Sequence, residues 1–275
     1  MKLPFLGYGV GLRPKHYNHI LTKWPEIDFF EIISENYMVD GGRPIDTLEK
    51  IRDRYPVVMH GVSLSLGSTD PLDRNYLKKL KNLANKIQPA WISDHLCWAG
   101  VGGNHLHDLL PLPYTQEVLR HVVKRIKQVQ DYLERPLVIE NVSSYMNFKE
   151  SSMSEWDFIT AVAEESDSLI LLDVNNVYVS AFNHGFDAKE YIQAIPKDRV
   201  VQMHLAGHSR HKNYILDTHD HPINNKVWHL YEFALQRFGK ITTLIEWDDK
   251  IPSFPKLHAA SQKAKSIGEA VCGKA

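Results

Sequence analysis

The segment 136–141, Pro-Leu-Val-Ile-Glu-Asn, is an apolar run of strand length that ends abruptly in Glu140 and Asn141. His60, His95, Asp173, His204 and Glu246 stand in the same way at or near the ends of other short apolar runs. Taken singly, such a histidine is more often a hydrogen-bonded structural group, and such a carboxylate a helix cap, than a ligand. Their joint recurrence changes the balance. Carboxylates buried side by side repel strongly unless protons or cations lie between them. Carboxylate together with imidazole is a donor set suited to first-row metal ions. The expectation is a polynuclear metal site with Glu140 at its centre.

Asp217 and His219 lie two residues apart, so on an extended segment both side chains point the same way and can join that site. His208, His211 and His221 belong to the same stretch and stay ambiguous. His105 and His107 read as loop residues. His121, beside Arg120 and Lys124, reads as a solvated helix residue, and Cys97 as a partly buried structural thiol. Gly100-Val-Gly-Gly is no dinucleotide fingerprint, because no helix opens directly after it. Walker, Gly-x-Ser-x-Gly and Cys-x-x-Cys patterns are absent from the chain.

The elements that must position these groups alternate along the chain. Strands are expected at 6–12, 28–34, 56–62, 91–96, 136–141, 169–174, 200–206 and 242–247. Helices are expected from Pro14 to Trp24, at 45–54, from Thr69-Asp70-Pro71 through Ile87, and at 115–133. Others follow from Ser154, whose pairing with Asp157 resembles a capping box, then at 188–195, 227–238 and from Phe254 to before Gly273. Residues 97–113 and 207–222 read as long loops, and Asn175-Asn176 and His184-Gly185 as loop residues. Strict strand–helix alternation predicts an α/β chain folded as one (β/α)₈ barrel over residues 1–275. In such a barrel the active site lies at the C-terminal strand ends, where the residues named above fall.

Composition excludes several classes. With 43% hydrophobic and 24% charged residues the chain is neither disordered nor low-complexity, and its net charge of -1 offers no global attraction to nucleic acid or an anionic membrane. Two cysteines are too few for a disulfide framework, which points to a reducing cytoplasm. No run is long and apolar enough to span a membrane, and the N-terminal residues lack a signal-peptide core.

Further motifs carry a resemblance. They are Met59-His60-Gly61-Val62-Ser63-Leu64-Ser65-Leu66-Gly67, Ser93-Asp94-His95-Leu96, Asp108-Leu109-Leu110-Pro111-Leu112-Pro113-Tyr114 and Ile139-Glu140-Asn141. Leu172-Asp173-Val174-Asn175-Asn176, Asn183-His184-Gly185, His204-Leu205-Ala206-Gly207-His208 and Ile245-Glu246-Trp247-Asp248 continue the series. Over nearly its whole length the chain resembles the multinuclear non-haem iron-dependent oxidative enzymes, a bacterial family whose members include the methanobactin-biosynthesis oxidase. A second resemblance, confined to the metal site, is to endonuclease IV and the xylose-isomerase-like barrels. The departure from that nuclease is Asn176, where it has a histidine; an amide oxygen is a harder ligand and shifts the preference away from zinc.

The resemblances imply three groups of ligands. His60, His95 and Glu140 would hold one metal. Glu140, Asp173, His204 and Glu246 would hold a second. Asp173, Asn176, Asp217 and His219 would hold a third, with His184 a further candidate. Asp94 and Asn141 are expected to orient imidazoles. The implied activity is an oxidase or oxygenase that uses two or three irons of mixed valence with dioxygen as co-substrate. Its implied substrate is a ribosomally made precursor peptide, modified at cysteine among other residues, beside a small partner protein that binds the peptide leader. Asp248 is the candidate for proton transfer. The alternative is a hydrolase or isomerase on divalent metals, of the endonuclease IV or sugar-isomerase kind.

Overall fold

The computed structural model describes residues 3–273, in which eight parallel strands close into one barrel with helices between them. The strands are Tyr8–Gly11, Phe30–Ile33, Val57–Gly61, Ile92–His95, Leu137–Glu140, Leu169–Asp173, Val200–Leu205 and Thr242–Ile245. Each pairs with its neighbours in chain order, and the first closes on the eighth through Tyr8 opposite Thr243. This is the (β/α)₈ barrel anticipated from the alternation. No helix among the described residues is long and apolar enough to cross a membrane.

Strand parity decides which side chains meet. Successive strand residues point to opposite faces, so alternate residues enter the barrel. Phe29, Val58, Trp91, Val138, Leu169, Leu171 and Leu244 form one apolar cluster inside it. Phe30, Met59, Ile92, Ile139, Leu172, Met203 and Ile245 have the other parity and pack into the larger cluster shared with the helices. Two residues further along the inward rows come His60, Glu140, Asp173 and Glu246. The apolar floor and the polar mouth are therefore one continuous set of inward positions.

Several local expectations need correction. Residues 97–113 are not a long loop but hold an antiparallel hairpin, Trp98–Val101 with Asn104–Leu110. Gly102 and Gly103 both have positive φ, 61° and 75°, which is what a two-residue turn demands. The third helix spans Arg74–Ile87 and starts at Asp73, which accepts from the amides of Asn75 and Tyr76. Asp70 instead accepts from the amides of Gly102 and Gly103 at 2.9 and 3.1 Å and ties down the hairpin turn. Asn175-Asn176 and His184 are helical, within Val174–His184, because Asp173 caps a helix directly at the strand end by accepting from Asn176 N at 2.6 Å. His121 is not simply solvated: its Nε2 lies 2.8 Å from the Ser68 carbonyl. Residues 207–222 contain a short ladder, Ser209–Arg210 with Ile215–Leu216.

Candidate metal centre

Glu140 ends the fifth strand directly opposite His95 in the register, with Asp173 and His204 paired in the same way on strands six and seven. Oε2 of Glu140 lies 3.2 Å from His60 Nε2 and 3.3 Å from His95 Nε2, and the two imidazole nitrogens are themselves 3.3 Å apart. The far side of each ring is occupied: His60 Nδ1 lies 2.8 Å from Ser93 Oγ and His95 Nδ1 is 3.1 Å from the Gly61 carbonyl. A ring that donates through Nδ1 presents a bare lone pair at Nε2. Three acceptors then face one another without a proton among them. Edges of this length match ligand atoms that surround one ion at about 2.0–2.2 Å.

The other oxygen of Glu140 faces a second group. His204 Nδ1 lies 3.3 Å from Glu140 Oε1 and 3.0 Å from Glu246 Oε2. Ligand atoms of Glu140, Asp173, His204 and Glu246 all fall within 4.8 Å of one another, as do those of His60, His95 and Glu140. Glu140 belongs to both groups. Buried Glu140 Oε2, Asp173 Oδ2, Asn176 Oδ1 and His204 Nδ1 make no hydrogen bond. Orphaned buried acceptors are rare, and a cation among them removes the penalty. The residues present thus fit a bound metal cluster.

A donor chain inside the barrel sets the His204 tautomer. Trp91 Nε1, which can only donate, reaches Gln202 Oε1 at 2.6 Å. Gln202 Nε2 is then the donor to Glu31 Oε2, also at 2.6 Å. The Glu31 carboxylate lies 3.1 Å from His204 Nε2 and accepts its proton, so Nδ1 is left to face Glu140 and Glu246. This carboxylate–imidazole pair is the usual support for a metal-ligating histidine. Nothing local marks Glu31, which lies inside an apolar run rather than at its end; it shares the inward parity of Phe29, the residue before the second strand.

His219 and Asp217 approach from the 207–222 segment. His219 Nε2 is 2.6 Å from Asp217 Oδ1, and its Nδ1 is 2.9 Å from Asp248 Oδ2 and 3.3 Å from Glu246 Oε2. The segment is not extended there: His219 has φ of +47°, a conformation that non-glycine residues adopt when the surroundings enforce it. Asn175 holds Asp217 by a 2.7 Å hydrogen bond and accepts in turn from His208 Nδ1 at 2.8 Å. Arg13, buried, grips Asp248 and also donates to the Trp247 carbonyl. Asn176 donates through Nδ2 to the Asn141 carbonyl, which turns its amide oxygen into the group of orphaned acceptors.

Three of the expected residues make other contacts. His184 ends its helix eight residues after Asn176, and its Nε2 contacts Ser144 Oγ at 2.7 Å in a neighbouring cavity. It is absent from the groups of converging ligand atoms. Asp94 has outward parity and accepts from the Leu64 and His95 amides, touching no imidazole. Asn141 likewise steadies a backbone rather than a ring, bonding both the amide and the carbonyl of Asp173. His60, His95, Asn176, Asp217, His219, Glu246 and Asp248 line a cavity of about 300 Å³, together with Tyr145, Asp108 and Leu109 from the mouth.

Charge follows burial and proximity. Burial and the adjacent His95 and His204 hold His60 well below the ordinary imidazole pKa, which keeps its lone pair available. Burial raises Asp173, with Glu140 and Asp217 adding to it. For His204 burial opposes the proton, but Glu31, Glu246 and Glu140 outweigh it and raise the ring. Carboxylates that attract a proton to a ring attract a metal cation in competition with it.

The fold and the site together define an α/β-barrel protein whose candidate active site is a group of buried histidines and carboxylates at the barrel mouth that could hold metal ions. Residues 7–269 match the family described as RiPP precursor modification enzyme MbnB/TglH/ChrH, and the chain belongs to that family. It is 56% identical over 262 residues to a UPF0276 protein of Anaeromyxobacter sp. (strain Fw109-5), with 95% of this chain and 93% of the relative covered. A UPF0276 protein of Caulobacter vibrioides (strain NA1000 / CB15N) is 50% identical over 264 residues, with 96% and 94% covered. D-psicose 3-epimerase from Clostridium cellulolyticum H10 superposes with a TM-score of 0.59 at 13% identity, covering 98% of this chain and 97% of its own. The IolI protein with a bound zinc atom gives a TM-score of 0.54 at 10% identity, with 96% of each chain covered. At that identity the likeness is one of fold.

Proposed function

We propose that the chain is an iron- and dioxygen-dependent enzyme that oxidises a residue, cysteine foremost, of a ribosomally synthesised precursor peptide. A small partner protein would present the peptide leader, and the reaction would take place in the cytoplasm where such peptides are made. The observation that carries this reading is Glu140, whose two oxygens face two separate groups of ligand atoms, in a chain of a peptide-modifying family. His60, His95 and Glu140 would hold one iron. Glu140, Asp173, His204 and Glu246 would hold a second, and Asp217 and His219 a third with Asp173 and Asn176. Bound there, the irons would supply thiolate ligation and one-electron chemistry with dioxygen.

The chain's own groups do the rest. Glu31 keeps His204 in the ligating tautomer. Asp248, which lines the cavity and is steadied by Arg13 and His219, would take up and return a proton. Tyr145 accepts from the Asp217 amide and stands at the cavity edge, where it narrows the entrance used by a peptide.

The test is anaerobic reconstitution with ferrous iron, read by metal analysis and Mössbauer spectroscopy, followed by oxygen consumption with precursor peptide. Two or more irons per chain are expected, falling to one or none in His95→Ala and Glu140→Ala while the circular dichroism is kept. Unchanged iron in both variants defeats the ligand assignment. Zinc or manganese supporting ketose epimerisation or DNA nicking, with no iron taken up, defeats the oxidative reading.

A further inference from the structure

Segment 142–148 divides two cavities. Val142, Ser143 and Tyr145 line the metal cavity, whereas Ser144, Met146, Asn147 and Phe148 line a second one of about 230 Å³. That volume is below the usual range for whole small-molecule ligands and suits one side chain. Its other walls include Tyr114, Trp156 and Phe186, the last two edge to face at 5.3 Å. Glu155 brings a carboxylate to this aromatic box. Tyr191 donates to it at 2.9 Å, and the Tyr114 hydroxyl also bonds it. No charged neighbour acts on Glu155 among the described residues, and burial pushes its carboxyl up to about 7.

A carboxylate in an aromatic box lacks only a cation. Ring faces attract a cation, and a charge-assisted hydrogen bond to the carboxylate fixes it. A guanidinium does both, because it stacks flat and donates as a fork. Position ties this box to the metal centre. Asn176 lines the metal cavity and His184 the second, and both belong to the helix Val174–His184. Eight helical residues span about 12 Å, which an extended peptide covers in about three to four residues at roughly 3.3 Å each.

We propose that the second cavity is a specificity pocket for a basic side chain of the peptide substrate, arginine foremost, held by Glu155 three to four residues from the residue modified at the metal centre. This rests on the peptide-modifying reading above. The probes are fluorescein-labelled Gly/Ser peptides with one cysteine and, three or four positions away, either arginine or norleucine. Their affinity for the iron-loaded protein is read by fluorescence anisotropy, and cysteine oxidation is read separately by mass spectrometry.

The arginine peptides are expected to bind at least about ten-fold more tightly than the norleucine ones. Moving arginine eight positions away should abolish the advantage. Glu155→Gln keeps an acceptor for the tyrosine hydroxyls and should remove the arginine preference while leaving norleucine-peptide binding unchanged. Equal affinities for the two peptides in the wild type, or no binding of either, overturn the pocket whether or not the variant folds. A preference that persists in Glu155→Gln overturns it as well. Preference without cysteine oxidation upholds the pocket and counts against the oxidative reading; oxidation without preference does the reverse.

Discussion

Glu155 also makes a prediction that needs no substrate. Burial raises its carboxyl from an ordinary 4.5 to about 7. Below pH 4 the group is protonated in folded and unfolded chains alike and contributes no pH dependence. As pH rises through 4.5 the unfolded chain ionises while the folded one keeps its proton, so stability falls with pH and levels off above 7. A shift of that size, at about 1.4 kcal/mol for each pH unit, amounts to a loss of about 3 kcal/mol. Glu155→Gln removes the ionisation and keeps the oxygen that accepts from Tyr191. Urea unfolding of both proteins at intervals from pH 4.5 to 8 isolates the effect, because every other titrating group is common to the two. Relative to wild type, the variant should gain about 3 kcal/mol between the ends of that range, with most of the change below pH 7. Parallel curves for the two proteins would refute the reasoning.

Three further outcomes follow from the site. Glu31→Gln removes the charge that holds the His204 tautomer, and metal affinity measured by chelator competition should fall about 10–100-fold with the fold intact; an unaltered affinity would leave Glu31 without the role assigned to it. Gly207→Ala would place a Cβ 1.9 Å from the His221 carbonyl oxygen, a backbone atom that no rotamer can move. The segment bearing Asp217 and His219 must shift, so one metal equivalent should be lost along with about 1–3 kcal/mol of stability; full metal content would contradict this. Asp73→Ala removes the cap of the helix Arg74–Ile87 and should cost about 1 kcal/mol in urea unfolding, with metal content unchanged.

Much of the barrel was legible because its signals are local. Apolar runs of strand length and the amphipathic stripe of Gln116–Leu133, capped by Thr115, can be read without knowing what they pack against. Ser154 behaves as the expected cap, accepting from the Asp157 amide. The hairpin inside residues 97–113 has one local mark, the Gly102-Gly103 pair at its turn. It imitates a loop because Trp98–Val101 is only four residues long and Asn104–Leu110 is mostly polar and exposed. The helix after Asp173 was missed for a different reason. A strand that turns into a helix without a loop leaves no glycine or proline to mark the junction, and Asp173 serves both as cap and as inward carboxylate.

The division between sequence and tertiary structure falls at the same point in the site. Residue type and strand position alone single out His60, His95, Glu140, Asp173, His204 and Glu246, because period-two geometry puts a strand's last inward residue at the barrel mouth. Which of them meet is decided by closure, which brings strands far apart in the chain into register. Closure makes Glu140 common to two groups and puts Glu31 behind His204. The helical rise carries His184 away from Asn176 into the second cavity. Local patterns contain the inventory of ligands, whereas their grouping depends on contacts between residues far apart in the chain, such as Glu31 and His204, 173 positions apart.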